Sequence, residues 1–161
     1  MEALLVWLEG SALGQLMRAS GVWSYGLVNL AHILGLATLF GGVLVLDLRL
    51  LGLWRRVPFA ALERPALSLA CVGFALAVVS GTALITTNAT EYLGNPFLAI
   101  KFTAIGLGLL NAIVAQFLPA WRVRAADPLT GRSRAVLAAV GATSLLAWLG
   151  AVTAGRMIGY W

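Results

Sequence analysis

The sequence holds one histidine, one cysteine and very little charge: 11% of its 161 residues are Asp, Glu, Lys or Arg, against about 25% in a soluble domain. That deficit excludes a chain whose surface mostly faces water. With 61% hydrophobic residues and a mean hydropathy of +0.93, lipid has to be the solvent for most of it. The lone Cys71 lies in an apolar run, which excludes an internal disulfide, a CxxC motif and a zinc cluster; it reads as a small core residue. No Met- or His-rich segment of the kind that handles copper is present. The opening MEALLVWLEG lacks a basic n-region and a signal-peptidase site, so cleavage is not expected. The net charge of +5 is spread between apolar runs rather than gathered into a patch. It reports membrane topology, and no nucleic-acid partner is expected.

Four long apolar runs remain. At roughly 20 residues per crossing they give spans over about 25–46, 66–86, 97–118 and 135–158, within a transmembrane bundle covering 25–158. Turn signals separate them: Pro58 and Pro65, then Gly94-Asn95-Pro96, then Pro119, Asp127-Pro128 and Gly131. Residues 1–20 are too short and too interrupted to cross. There Leu5, Leu8, Ala12, Leu13 and Leu16 recur at helical spacing, with Glu2, Glu9, Gln15 and Arg18 mostly off the stripe, which predicts an amphipathic helix on the bilayer surface. The expected fold class is therefore all-α, an integral membrane four-helix bundle with an N-terminal amphipathic interfacial helix. Gly73, Ala77 and Gly81, and again Ala147, Ala151 and Gly155, sit four apart and mark faces where helix backbones approach closely.

Arginine sets the expected orientation. Arg49, Arg55, Arg56 and Arg64 flank the first connection; Arg122, Arg124, Arg132 and Arg134 flank the third. The second, TTNATEYLGNP, has no basic residue and carries Glu91. The positive-inside rule puts the two basic connections in the cytoplasm and both termini outside. Aromatic residues sit at the span ends, Trp54 and Trp121 on the inner side, Trp23, Tyr25, Tyr92, Tyr160 and Trp161 on the outer.

Ionisable groups inside spans cost roughly 2.5–3.5 kcal/mol each at a helix centre, so His32, Asp47, Lys101 and Arg156 need an account. His32 lies about seven residues into the first span, roughly 10 Å below the outer interface, on a face with Asn29, Gly35, Leu39 and Gly42. A neutral imidazole flanked by glycines suits a flat ligand such as haem b bound through iron; the alternative is a core histidine bonded to a neighbouring helix. Lys101, on a face with Ala104, Gly108 and Asn111, and Arg156 both fall in the outer half. There they either snorkel to the interface or meet haem carboxylates. Asp47 reads as paired with Arg49 or a neighbouring arginine. Asn111 reads as an interhelical hydrogen-bonding group and Trp148 as packing. The candidate ligand-binding set is His32, Gly35, Lys101, Asn111 and Arg156, with His32 the metal ligand. One histidine supplies one axial position, which leaves Met157, Met17, water or His32 of a second copy for the other.

The run VNLAHILGLATLFGGVLVLDLRLLG resembles the haem-associated helix of HemJ-type protoporphyrinogen oxidases and of the related CopD-like membrane domains. NPFLAIKFTAIGLGLLNAIV resembles the third core helix of the HemJ type, where a lysine pairs functionally with the histidine. His32 and Lys101 fall at the matching places, the second span opens with ERP, and the resemblance covers roughly 25–158. The ending AGRMIGY, with LDLRLLG, looks closer to small bacterial four-span proteins within that wider group. The resemblance implies a bacterial inner-membrane location and a haem site. It leaves open electron transfer with a quinone or a periplasmic redox partner, porphyrinogen oxidation, copper handling, and a structural role as a homodimer or a subunit of a larger complex.

Overall fold

The computed structural model describes residues 2–126 and 130–161, and these form only helices and turns. The expected Asp127-Pro128 turn lies outside the described residues. In chain order the helices are α1 (Glu2–Gly10), α2 (Ala12–Ala19), α3 (Gly21–Leu51), α4 (Phe59–Thr87), α5 (Pro96–Phe117), α6 (Pro119–Arg122) and α7 (Gly131–Met157). Single 3₁₀ turns occupy Ala89–Tyr92 and Ile158–Tyr160. The four longest are apolar enough to cross a membrane, which makes the chain an all-α membrane protein with a four-helix bundle. Two of them outrun the spans expected from hydropathy at both ends. α3 starts at Gly21 and α4 at Phe59, because a helix does not stop where the hydrocarbon does.

Helix ends are set by local chemistry. Thr130 and Asn95 cap α7 and α5 by accepting from the amides of Ser133 and Phe97, the usual role of a short polar side chain at an N-terminus. α3 ends where Gly52 turns left-handed at φ 107°. The Leu53 amide then reaches back to the Leu48 carbonyl, closing a Schellman motif that satisfies an orphan carbonyl.

The helices pack in the order α4–α3–α7–α5, with α3 and α4 in closest register. Small residues cause this. A Cβ on Gly35 would lie 2.8 Å from the Ala77 amide nitrogen, and one on Gly42 would lie 2.9 Å from that of Ala70. Backbone meets backbone there, so dispersion replaces the hydrophobic effect that lipid cannot supply. Approach between α4 and α5 is marginal by comparison. At mid-bundle Phe74 of α4 meets Trp148 of α7 edge-on, with centroids 6.3 Å apart, in a cluster with Leu39 of α3 and Ile105 of α5. Only 11% of the apolar window of α5 is buried within the protein, so lipid must cover most of that helix. Cys71 is exposed on α4, not in the core where the sequence suggested.

The N-terminal segment differs from the single interfacial helix expected. Ser11 breaks it by capping α2 through the Gly14 amide, giving two short helices. α2 lies on α4 with Gly14 and Met17 buried, while Leu13 and Leu16 of the expected stripe are exposed. Polar contacts hold the pair down. Arg18 donates to the carbonyls of Thr87 (2.9 Å) and Glu9 (2.8 Å), and Glu9 accepts from both the amide and hydroxyl of Thr90 (2.7 Å each). The last helical carbonyls of α4 thus gain donors they would otherwise lack. The bundle has two distinct ends: one with α1, α2, the 3₁₀ turns and the C-terminus, the other rich in arginine.

Candidate functional site

His32 projects from α3 against α4. Its Nδ1 lies 3.1 Å from the Ser80 hydroxyl, and that hydroxyl sits 2.5 Å from the Leu76 carbonyl. A carbonyl can only accept, so the Ser80 proton points to Leu76 and its oxygen accepts from the ring. Nδ1 therefore carries the hydrogen and Nε2 the lone pair. Metal-binding histidines are commonly arranged this way, the second nitrogen fixing tautomer and ring direction. The approach depends on Gly81, whose Cβ would fall 2.8 Å from Cε1 of the imidazole.

Lys101 reaches this region from α5. Its side chain runs across Gly155 of α7, with Cδ and Cε each 3.6 Å from the position a Cβ would take there. Lys101 and His32 both lie in the half of the bundle toward α1, α2 and the C-terminus. Both residues are half-buried and sit one or two helical turns from the Phe74–Trp148 contact. All four long helices contribute: α3 the imidazole, α4 its hydroxyl partner, α5 the cation, α7 the glycine beneath it.

The other expected site residues lie elsewhere. Gly35 clears no space for a ring, because the backbone of α4 at Gly73 and Ala77 fills that face. Asn111 donates to the Val140 carbonyl at 3.1 Å and ties α5 to α7. Arg156 is exposed, donates to the Tyr160 hydroxyl and stacks on that ring at 4.7 Å. Met17 is buried under α2, and Met157 lines an apolar groove between α5 and α7. Asp47 is 4% exposed, and its Oδ2 has no partner among the described residues. The expected Asp47–Arg49 pair is absent: Arg49 turns to the Val57 carbonyl at 3.3 Å. Among the described residues no three His, Cys, Asp or Glu side chains converge on a common point.

Sequence reading missed two features. One is the Glu9–Thr90 and Arg18–Thr87 clamp, whose partners lie 81 and 69 residues apart. The other is a cavity of about 270 Å³ at the arginine end, lined by five arginines that the sequence presented only as topology signals.

A model for one protein family, described as a family of unknown function (DUF6644), matches residues 4–161, nearly the whole chain, and the protein belongs to that family. No curated protein and no solved structure matches it.

Proposed function

We propose that this DUF6644 member is a b-type haem protein of a bacterial inner membrane, with His32 Nε2 as an axial ligand and electron transfer as its role. The observation that carries the reading is the Ser80 relay, which leaves the Nε2 lone pair of an imidazole on a spanning helix for a ligand. Lys101 is placed to pair with a haem carboxylate. The haem would supply one-electron chemistry; the chain supplies the ligand, its tautomer, a cation and exclusion of water. A quinone or a periplasmic redox protein is the partner class such a carrier needs. In this reading the arginine end faces the cytoplasm and both termini lie outside, following the positive-inside rule.

One imidazole per chain leaves the sixth position to water, a methionine or His32 of a second copy. A monomer with water in that position is expected to give a high-spin ferric spectrum, and a low-spin bis-histidine spectrum requires two chains. The test is detergent-purified protein with a Soret band that disappears in His32→Ala. Ser80→Ala should keep the band but broaden or shift it as the ring loses its anchor. A full band in His32→Ala would overturn the assignment. Cysteines placed at Asn88 and Arg124 in a Cys71→Ser background should label from opposite sides of the membrane; labelling from one side would overturn the orientation.

The placing of His32 and Lys101 in the same half of the bundle favours a second reading, porphyrinogen oxidation of the HemJ kind, in which the same two residues act on a substrate. Complementation of a strain lacking that oxidase separates the two.

A further inference from the structure

Five arginines converge on the cavity at the other end of the bundle: Arg49 from the last turn of α3, Arg55 and Arg56 from the α3–α4 connection, Arg124 just after α6, and Arg134 from the first turn of α7. A positive-inside signal needs only charge in a loop; it does not need side chains from four segments to meet around one space. The connection is bent to achieve it. Gly52 takes φ 107° and Trp54 takes φ 51°, a left-handed conformation that costs a bulky residue energy. The Arg55 guanidinium folds back over Gly52, where any Cβ would collide with it.

The wall is rigid. Phe59, 5% exposed, lies between two guanidiniums, Arg49 at 6.0 Å and Arg124 at 5.8 Å from its ring centre. Arg124 is further fixed by Glu63, through Nε at 2.8 Å and Nη2 at 2.5 Å, and by the Trp121 carbonyl. That is the one ion pair among the described residues, so the other four lining guanidiniums have no carboxylate partner among the described residues. Arg49 also keeps a buried Nε–H with no acceptor among the described residues. A buried donor without an acceptor is costly, and a ligand oxygen would satisfy it.

From this we infer that the cavity binds a phosphate group, one or two phosphoryl units in size. Planar, always-charged guanidiniums match phosphate oxygens bidentately. The volume falls just under the roughly 300–1,000 Å³ of pockets for drug-sized ligands, enough for a phosphodiester or diphosphate but not for a nucleotide. The place suits a lipid headgroup, since the cavity caps the ends of the spanning helices with Trp54 and Trp121 beside it. A soluble diphosphate carries the same chemistry.

The full chain in nanodiscs tests this in two arms: phosphatidylglycerol or cardiolipin added to phosphatidylcholine, and inorganic pyrophosphate offered with phosphatidylcholine alone. Lipid retention is read by native mass spectrometry and pyrophosphate by calorimetry. Saturable binding in one arm supports the site and names its source. Arg56→Gln and Arg134→Gln should each weaken it roughly 10- to 100-fold, the loss of one charge-assisted pair. Arg132→Gln, at the same end but outside the lining, should leave it within about twofold. Arg134→Lys keeps the charge that topology needs and should still weaken binding, because the bidentate fork is gone. No saturable binding in either arm, or equal loss in Arg132→Gln and Arg134→Gln, would overturn the inference and leave only diffuse surface charge.

Discussion

Replacing Gly73 with alanine probes the contact on which the bundle rests. The new Cβ would stand 2.7 Å from the Gly35 carbonyl oxygen and 2.9 Å from Leu39 Cα, and nearer still to the Leu39 amide nitrogen. All three are backbone atoms of α3 that no rotamer change can move. Ordinary carbon contacts need about 3.5–4.0 Å, so the α3–α4 axes must part by roughly 0.6 Å or more at that level. A gap of 0.5–1 Å forfeits a quarter to a half of each dispersion contact, and lipid offers no hydrophobic compensation. The cost should sit toward the upper end of the roughly 1–3 kcal/mol seen for overpacking. Gly106→Ala is the matched control. Nothing lies within 4 Å of its Cβ position, and alanine is the better helix former by about 1 kcal/mol in water, so no destabilisation is expected. The assay is thermal or denaturant unfolding of both variants in one detergent. Gly73→Ala as stable as Gly106→Ala would refute the close-packed interface. The loss of fit should also displace Ser80 from His32, two turns along α4.

Asp47→Asn should cost less than about 1 kcal/mol, since no cation is orphaned; a loss of roughly 3–5 kcal/mol, the range for breaking a buried ion pair, would restore the Asp47–Arg49 pair. Asn111→Val should lower stability by about 0.6 kcal/mol, the average for an interhelical hydrogen bond in a membrane, and leave any haem content unchanged; lost haem would return Asn111 to the cofactor site. Hydrogen bonds from the Thr90 hydroxyl and amide hold the Glu9 carboxyl below its ordinary value of 4.5. A depressed value contributes stability that is present above the ordinary one and lost as pH falls through the folded one. Hydrogen-exchange protection of residues 2–19 should therefore drop as pH falls below about 4.5, while Glu9→Gln should be less protected at neutral pH and lack that step; the same step in both would detach it from Glu9.

Much of the fold is legible in the sequence because lipid imposes a simple rule. A spanning segment must satisfy its own backbone, so a long apolar run is a helix. Small residues spaced by four mark contact faces, as Gly73 and Ala77 do against Gly35. Two things do not follow from such rules. Helix ends are fixed by caps such as Thr130 and Gly52, not by hydropathy, so α3 and α4 run past the hydrocarbon. The N-terminal helices are held by Glu9 and Arg18, which look like surface charges until Thr87 and Thr90 are folded back beside them.

The candidate site was half legible, for a physical reason. Membrane burial makes a polar residue costly enough to be noticed, and that alone singled out His32 and Lys101, which α3 and α5 do bring to one region. It could not say which neighbours would occupy the space around them. Gly35 was read as room for a ligand, yet a glycine on a helix face is equally room for another helix, and the matching glycine at position 73 fills it. The glycine that serves the imidazole is Gly81, on a different helix. The arginine end fails in the opposite way. Eight arginines flanking two connections are so well explained by orientation that the convergence of five of them carries no sequence signal at all. Orientation depends on the number of charges, which a sequence displays, whereas binding depends on where the guanidiniums point, which follows from the left-handed turns at Gly52 and Trp54 and from the Phe59 ring between Arg49 and Arg124.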